Sequence, residues 1–259
     1  MNNTVEQQIN NFNSRVETYL SKKTSPQRQI YISLLWKLVF SYASMFSSGK
    51  QNVCILEPMC GWSAYDLVTK NFPGTIQKYD AFDYSEKMIN IGKSLYPDVN
   101  FWVQDATTFV PDVAEYDIIL LIGGLHHVPK YAPNILDNLS KCLKSDGCMI
   151  NLEPTFNNHL LSFFCNLIYR KNKNFDHKTE RRFSLSELNN YYVSAGLKTV
   201  KQLYPGLLAY LLWYNPDIFP FLNKGSIHMV KKLFSFERKI YSSRYAEKMS
   251  VATITILKK

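Results

Sequence analysis

The chain has 259 residues, of which 46% are hydrophobic and 20% charged, a composition that excludes disordered and fibrous proteins. No stretch reaches the roughly 18 to 20 apolar residues that cross a bilayer, and the polar amino terminus lacks the apolar core of a secretory signal, so we expect a cytoplasmic protein.

The formal charge of +9 comes largely from residues 170–182 and 224–248. A solvated basic face explains these runs better than nucleic-acid binding, because basic and acidic residues alternate in them, although an anionic acceptor or a membrane surface would also fit. The five cysteines show no paired spacing, so we expect neither a metal site nor a disulfide framework.

The predicted elements begin with a helical cap over residues 1–46, in which Ser25 and Pro26 supply the start signals of a long helix. From residue 47 to residue 203, short β-branched runs alternate with helical patterns, which is typical of βαβ units on a parallel sheet. The predicted strands of this core are 52–57, 77–83, 99–104, 116–122, 147–153 and 197–203. The predicted helices of this core are 64–70, 86–95, 133–143, 159–169 and 184–196.

Residues 204–248 separate the last two predicted strands, and residues 249–259 form the seventh strand. A simple hairpin would not need so many residues, so this ring-rich insertion is a candidate lid or acceptor pocket. We therefore predict a single α/β domain with a seven-stranded, mostly parallel, doubly wound sheet.

A loop follows the first predicted strand in the sequence ILEPMCGWSA. Glu57 ends the strand, and Gly61 has no Cβ and so permits a ligand to approach the backbone closely. The loop resembles motif I of the class I (Rossmann-like) S-adenosylmethionine-dependent methyltransferases of the small-molecule type, in which it holds the methionine part of the donor. Family members usually carry three glycines here, whereas Met59 and Ser63 stand at the first and third of these positions. The resemblance assigns Glu57, Met59, Cys60 and Gly61 to binding of the cofactor S-adenosylmethionine.

The ends of the next three strands carry residues that the same resemblance assigns to the donor. Asp83 follows Glu57 by about 26 residues, where a carboxylate can accept from both ribose hydroxyls. Donor binding has a structural alternative at two of these positions. Asp83 could instead cap a helix, and Asp105 could instead belong to a surface loop. The other expected donor contacts are Tyr84, Met88, Gln104, Asp105, Ala106 and Gly123.

Two histidines, His126 and His127, follow the fourth strand in the sequence LHHV, which is frequent at this point of class I enzymes. An imidazole is a suitable general base for a hydroxyl or an amine, because its ordinary pKa is close to the working pH. Packing or helix capping is the structural alternative for either residue. Glu153 ends the fifth strand, where it can orient one of the histidines, bind an acceptor hydroxyl or form a turn before Pro154.

The resemblance implies methylation of oxygen, nitrogen or carbon on a small or amphipathic acceptor, such as a secondary metabolite, an isoprenoid or quinone, a lipid or a glycan. We expect no nucleic-acid partner, and peripheral membrane contact is compatible with the charge. A nicotinamide dehydrogenase would need a GxGxxG loop, which EPMCGWSA does not supply. A donor-binding protein without turnover, acting as a regulatory or scaffold subunit, is the alternative left open by the single glycine.

Overall fold

The fold is built around one sheet, in a computed structural model that describes residues 25–46, 52–111, 114–157, 181–214 and 225–259. Its strands are β1 Asn52–Pro58, β2 Thr75–Asp83, β3 Asn100–Val103, β4 Tyr116–Ile122, β5 Leu143–Pro154, β6 Lys198–Leu203 and β7 Ala252–Lys258. They lie in the order β3-β2-β1-β4-β5-β7-β6, and β7 is antiparallel to both of its neighbours. The chain therefore winds outward in one direction from β1 and in the other from β4, which places a crevice between the carboxyl ends of these two strands. This is the predicted seven-stranded, mostly parallel α/β sheet.

Helices lie on both faces of the sheet. They are α1 Pro26–Phe46, α2 Tyr65–Asn71, α3 Glu86–Leu95, α4 Ala132–Cys142, α5 Leu185–Ser194, α6 Ile227–Glu237 and α7 Arg244–Met249. A 3-10 turn spans Leu125–His127, and a π-helical turn spans Tyr210–Tyr214. Serines start several of the helices because a hydroxyl accepts a hydrogen bond from a free backbone N–H of the first turn. The capping serines are Ser85 of α3, Ser184 of α5, Ser226 of α6 and Ser243 of α7.

Apolar side chains bury the sheet from both sides. β4 is buried over nearly all of its sequence YDIILLI, as expected for a parallel strand that is covered on both faces. One face packs against α1 and the insertion between β6 and β7, and its largest buried side chains include Trp36 and Trp213. The other face packs against α4 and α5 through residues such as Leu136 and Tyr192.

The described part of the insertion is fixed to α1. The ring of Tyr31 on α1 lies 6.3 Å from that of Trp213 and 6.0 Å from that of Phe234. Its hydroxyl lies 3.4 Å from that of Tyr241. The insertion thus contributes to the core, and its role as a lid over an acceptor stays a prediction, as does the division of the chain into cap, core and lid.

The predicted and observed strands agree closely except at the starts of β5 and β7. β7 begins at Ala252 rather than at residue 249, because Met249 ends α7. The chain passes from α4 into β5 at Leu143 rather than at residue 147, because Leu143 pairs with Tyr116 at the start of β4. Gly147 consequently lies within the strand. The predicted helix 159–169 and the first 24 residues of the predicted cap lie outside the described residues.

Candidate active site

The predicted acids lie at one edge of the sheet, because neighbouring parallel strands end on the same side. Glu57 is paired with Ala81 near the end of β2, and Asp83 is the last residue of β2. At the end of β4, the backbone N–H of Gly123 donates to the carbonyl of Leu152 at 2.7 Å, so the loop after β4 starts beside Glu153. The edge therefore combines three carboxylates that are almost completely buried.

Glu57 holds the loop that follows β1. Its carboxylate accepts hydrogen bonds from the Ser63 hydroxyl, from the backbone N–H of Ala64 at 2.9 Å and from the Tyr79 hydroxyl at 2.7 Å. Burial raises the pKa of Glu57 to about 7. Through these contacts Glu57 orients the loop after β1.

The loop keeps a glycine-like backbone without the usual glycines. The φ angles are +55° at Met59, +56° at Gly61 and +81° at Ser63, so all three positions are left-handed. A residue with a Cβ loses roughly 1 to 2 kcal/mol in this conformation. At Ser63 the hydroxyl offsets part of this cost, because it donates to Glu57 and accepts from the N–H of Tyr65 at 3.1 Å. The single glycine predicts a left-handed backbone at Gly61 only. The spacing of positions 59, 61 and 63, where family members usually carry glycines, indicates the left-handed backbone at all three.

We predict that Met59→Gly is more stable than Met59→Ala. Both variants lose the methionine side chain, but only glycine relieves the left-handed strain, so we expect a difference of about 1 kcal/mol in the free energy of unfolding. Urea unfolding of the two variants measures it. The control is Ser94, an exposed residue inside α3, where the alanine variant should be the more stable one. The same order at both positions would contradict the strain at Met59.

Asp83 links the loop after β1 to the start of α3. One carboxylate oxygen accepts from the backbone N–H of Gly61 and the other from that of Ser85, each at 2.9 Å. Burial is the main cause that raises the pKa of Asp83 above its ordinary value. Each oxygen keeps a second lone pair, so the carboxylate can still accept from two hydroxyls, as expected for a ribose-binding acid.

A narrow cleft brings together the loops that follow β1, β2, β3 and β4. Its lining residues are Met59, Tyr84, Asp105, Ala106, Thr107, His127 and Val128. Four of them are predicted donor contacts, and His127 is one of the predicted bases. Thr107 and Val128 were missed by sequence reasoning, although each directly follows a predicted site residue in the sequence.

Seven of the predicted donor contacts lie outside this lining, among them Met88, Cys60 and Gln104. Met88 is fully buried on α3. The Cys60 thiol contacts the carbonyl of Gly61, and the amide of Gln104 donates to the carbonyl of Asp105 at 3.0 Å. Cys60 and Gln104 thus shape the loops beside the cleft, and their contact with the donor stays a prediction.

The loops after β1 and β4 touch at Met59 and Gly124. A Cβ built on Gly124 would lie 2.7 Å from the Met59 sulfur, which is closer than packed atoms approach. Glycine at this position therefore allows the two loops to close the crevice. Gly123 adopts a φ of +66° in the same turn.

Glu153 is paired with one of the two histidines. Its Oε2 lies 2.9 Å from Nδ1 of His126, and its Oε1 accepts from the backbone N–H of Leu125 at 2.9 Å. Burial raises the pKa of Glu153 to about 8. The rings of His126 and His127 lie 4.1 Å apart, yet His126 contacts the acid and His127 lines the cleft. The geometry therefore gives the two histidines different surroundings.

Clusters of metal-binding side chains and membrane-spanning helices are both missing from the residues that the structure describes. In these ranges, no cluster of three or more His, Cys, Asp or Glu side chains is arranged to hold a metal ion. No helix in the same part of the chain is long and apolar enough to cross a membrane.

Comparison with known families identifies the domain that contains this edge. Residues 55–147 match the family model of a methyltransferase domain. The match extends from β1 into β5 and includes the cleft and both histidines. Residues 55–147 thus carry a methyltransferase domain, and the strand order with an antiparallel β7 is typical of class I, S-adenosylmethionine-dependent methyltransferases. No curated protein matches the sequence.

Solved structures share the fold of the methyltransferase domain at low sequence identity. The YcgJ protein of Bacillus subtilis is 16% identical with a TM-score of 0.55, over 87% of this chain and 96% of that one. The plantazolicin methyltransferase BpumL, solved with a triazolic desmethylPZN analogue and SAH, is 16% identical with a TM-score of 0.57, over 95% and 90% of the chains. The [4+2]-cyclase SpnF is 13% identical with a TM-score of 0.54, over 86% and 81%. These similarities show the fold alone.

The residues at the edge of the methyltransferase domain fit its cofactor. S-adenosylmethionine carries a sulfonium and an ammonium, and the buried acids Glu57 and Asp83 supply negative charge next to the loop assigned to it. A cation near a carboxylate stabilises the ionised form. Donor binding should therefore lower the raised pKa values of both acids and release protons.

We predict from this that donor affinity increases with pH. Glu57 is mostly protonated below its pKa of about 7 and mostly ionised above it, so the dissociation constant should fall by up to about tenfold between pH 6 and pH 8. Isothermal titration calorimetry in buffers of different ionisation enthalpy measures both the affinity and the released protons. Glu57→Gln keeps the shape of the side chain but cannot ionise, so its pH dependence should be weaker. An affinity that falls as the pH rises would contradict the assigned charge.

Proposed function

We propose that this methyltransferase acts on a hydroxyl or an amine of a small or amphipathic acceptor, with His126 as the general base. The observation that carries the proposal is the contact of 2.9 Å between Nδ1 of His126 and the buried carboxylate of Glu153. A buried carboxylate fixes both the orientation and the tautomer of a catalytic imidazole.

The contact determines what each nitrogen of His126 can do. When Nδ1–H donates to Glu153, Nε2 keeps its lone pair and can accept the proton that leaves the acceptor. Ionised Glu153 then stabilises the imidazolium that results. S-adenosylmethionine, when bound, supplies an electrophilic methyl group, so the protein needs mainly to align the acceptor, remove its proton and exclude water.

His127 has a different role in this proposal. It lines the cleft together with the predicted donor contacts Tyr84, Asp105 and Ala106. We therefore assign His127 to the wall of the donor site and not to proton transfer.

Several features support a small or amphipathic acceptor over a nucleic acid. The described part of the insertion between β6 and β7 packs aromatic rings against α1, including those of Tyr214 and Phe234, which lie 6.4 Å and 6.0 Å from the ring of Tyr31. The structural neighbour BpumL was solved with a triazolic desmethylPZN analogue and SAH. The acceptor would be a secondary metabolite, an isoprenoid or quinone, a lipid or a glycan.

We further propose that the reaction takes place in the cytoplasm. Support comes from the thiols Cys54, Cys60 and Cys148, which form no disulfide with one another in the part of the chain that the structure describes. Reduced cysteines are typical of that compartment.

Transfer of label from a methyl-labelled donor tests the acceptor class. The protein is incubated with the donor and, separately, with polar metabolites, a lipid extract, RNA or protein from the same cells. We expect label in the metabolite or lipid fraction, and label confined to RNA or protein would refute the proposal. Tight donor binding with no transfer in any fraction would favour the alternative of a donor-binding protein without turnover, and the cyclase SpnF shows that this fold also serves other reactions.

A further inference from the structure

Exposed apolar side chains are concentrated in the insertion between β6 and β7. Eleven large hydrophobic residues are exposed among the described residues, and seven of them lie between residues 208 and 249. These seven are Leu208, Ile227, Met229, Phe236, Ile240, Tyr245 and Met249. Single exposed apolar residues are ordinary on a protein surface, whereas such a concentration indicates an interaction surface.

The helix α6 has two apolar sides. Val230 and Phe234 are buried on the side that packs against α1. Met229 and Phe236 are seven residues apart, so helical geometry places them together on another side, where they are 44% and 66% exposed. Ile240 continues this row in the turn after the helix and is 37% exposed. We call Met229, Phe236 and Ile240 the outer stripe of α6.

Cations flank the outer stripe. Lys232 and Lys239 each follow a stripe residue by three positions, which makes them its neighbours on a helical surface. Between residues 225 and 249 the exposed basic residues are Lys231, Lys232, Arg238, Lys239, Arg244 and Lys248. Of the two acids in this range, Glu237 is buried and accepts from the backbone N–H of Ala209, so only Glu247 offsets the positive charge.

We propose that the outer stripe of α6 docks onto an anionic membrane surface. An apolar row with lysines beside it is the arrangement by which a helix lies in the headgroup region, with its apolar residues inserted and its cations on acidic lipids. The docking uses no donor and no residue of the cleft, so it stands independently of the proposed acceptor.

Two other occupants fit these observations less well. A second copy of the chain would bring the same basic residues together across a symmetric contact, and like charges oppose this. A nucleic acid would bind the lysines but would leave exposed Phe236 and Met229 without apolar partners.

Vesicle flotation with the full chain and no donor tests the proposal. One set of vesicles contains phosphatidylcholine alone, and the other contains phosphatidylcholine with about one third phosphatidylglycerol. We expect binding to the anionic vesicles, little binding to the neutral ones, and weakening by added salt because salt screens the charges. Equal binding to both sets, or binding to neither, would overturn the proposal.

Two variants separate the apolar and the ionic contributions. Phe236→Ser with Ile240→Ser should reduce partitioning into anionic vesicles at least tenfold, and Lys232→Glu with Lys239→Glu should do the same. The matched control is Val193→Ser on α5, a change of an apolar residue that is 74% exposed on a different helix, and it should bind like the parent chain. Circular dichroism and donor calorimetry check that every variant is folded and binds the cofactor.

Sedimentation of the chain without vesicles completes the test. We expect a monomer at micromolar concentration for both the parent chain and the stripe variant. A parent dimer that the serine variant dissociates would identify the stripe as a contact between copies and overturn the proposal.

Discussion

His126→Ala is expected to lower turnover by roughly 100- to 10,000-fold while leaving donor affinity nearly unchanged, since this is the usual contribution of a general base. The reason is the contact between His126 and Glu153, which prepares Nε2 to accept a proton. Turnover and donor affinity are measured separately, by label transfer with the identified acceptor and by calorimetry.

The control for this prediction is the neighbouring histidine. His127→Ala should weaken donor binding, because the ring lines the cleft, and should lower turnover less at saturating donor. Equal losses of turnover in both variants would mean that no single histidine is the base. Glu153→Gln adds a further readout, because the parent activity should rise with pH through about 8, where Glu153 loses its proton, and the variant should lack this rise.

Asp83→Ala is expected to weaken donor binding by at least tenfold. A hydrogen bond to a charged group contributes roughly 1.5 to 3 kcal/mol, and this carboxylate is the predicted ribose acceptor. Its bonds to the N–H groups of Gly61 and Ser85 add to the expected loss, because the loop after β1 and the start of α3 are both released. Calorimetry with S-adenosylmethionine measures the change.

Two variants show whether the effect belongs to the site. Asp83→Asn keeps one acceptor oxygen and the shape of the side chain, so it should lie between the parent and the alanine variant. Asp137→Ala removes an exposed acid that pairs with Lys141 on α4, and it should leave the affinity unchanged. Unchanged affinity in Asp83→Ala would remove Asp83 from the donor site.

The sequence predicts the sheet well because β1, β4 and β7 are largely apolar runs, and because capping serines mark the starts of α3 and α5. Asp83 and Ser85 illustrate this, since a strand end followed by a capping serine places both residues without knowledge of the tertiary structure. β7 is predicted equally well from its β-branched sequence, and it occupies an interior place in the sheet.

Other features depend on contacts that are distant in the sequence. The choice between His126 and His127 as the partner of Glu153 follows from how the 3-10 turn rotates the two rings, which no local pattern records. The left-handed backbone at Ser63 is held by the Glu57 carboxylate, which accepts from the Ser63 hydroxyl and from Tyr79 on the neighbouring strand β2. Because Tyr79 is distant in the sequence, the residue types of the loop do not predict this support.

The place of β7 between β5 and β6 has a consequence for synthesis on the ribosome. Among the described strands, β6 pairs only with β7, and β5 pairs with β7 on one side. Both strands therefore stay unpaired on these sides until the insertion and β7 have been synthesised. Until then the backbone groups beside Glu153 lie on an open strand edge, which readily pairs with other chains. Heterologous expression of this protein should therefore benefit from slow synthesis and low temperature more than the stability of its finished fold would suggest.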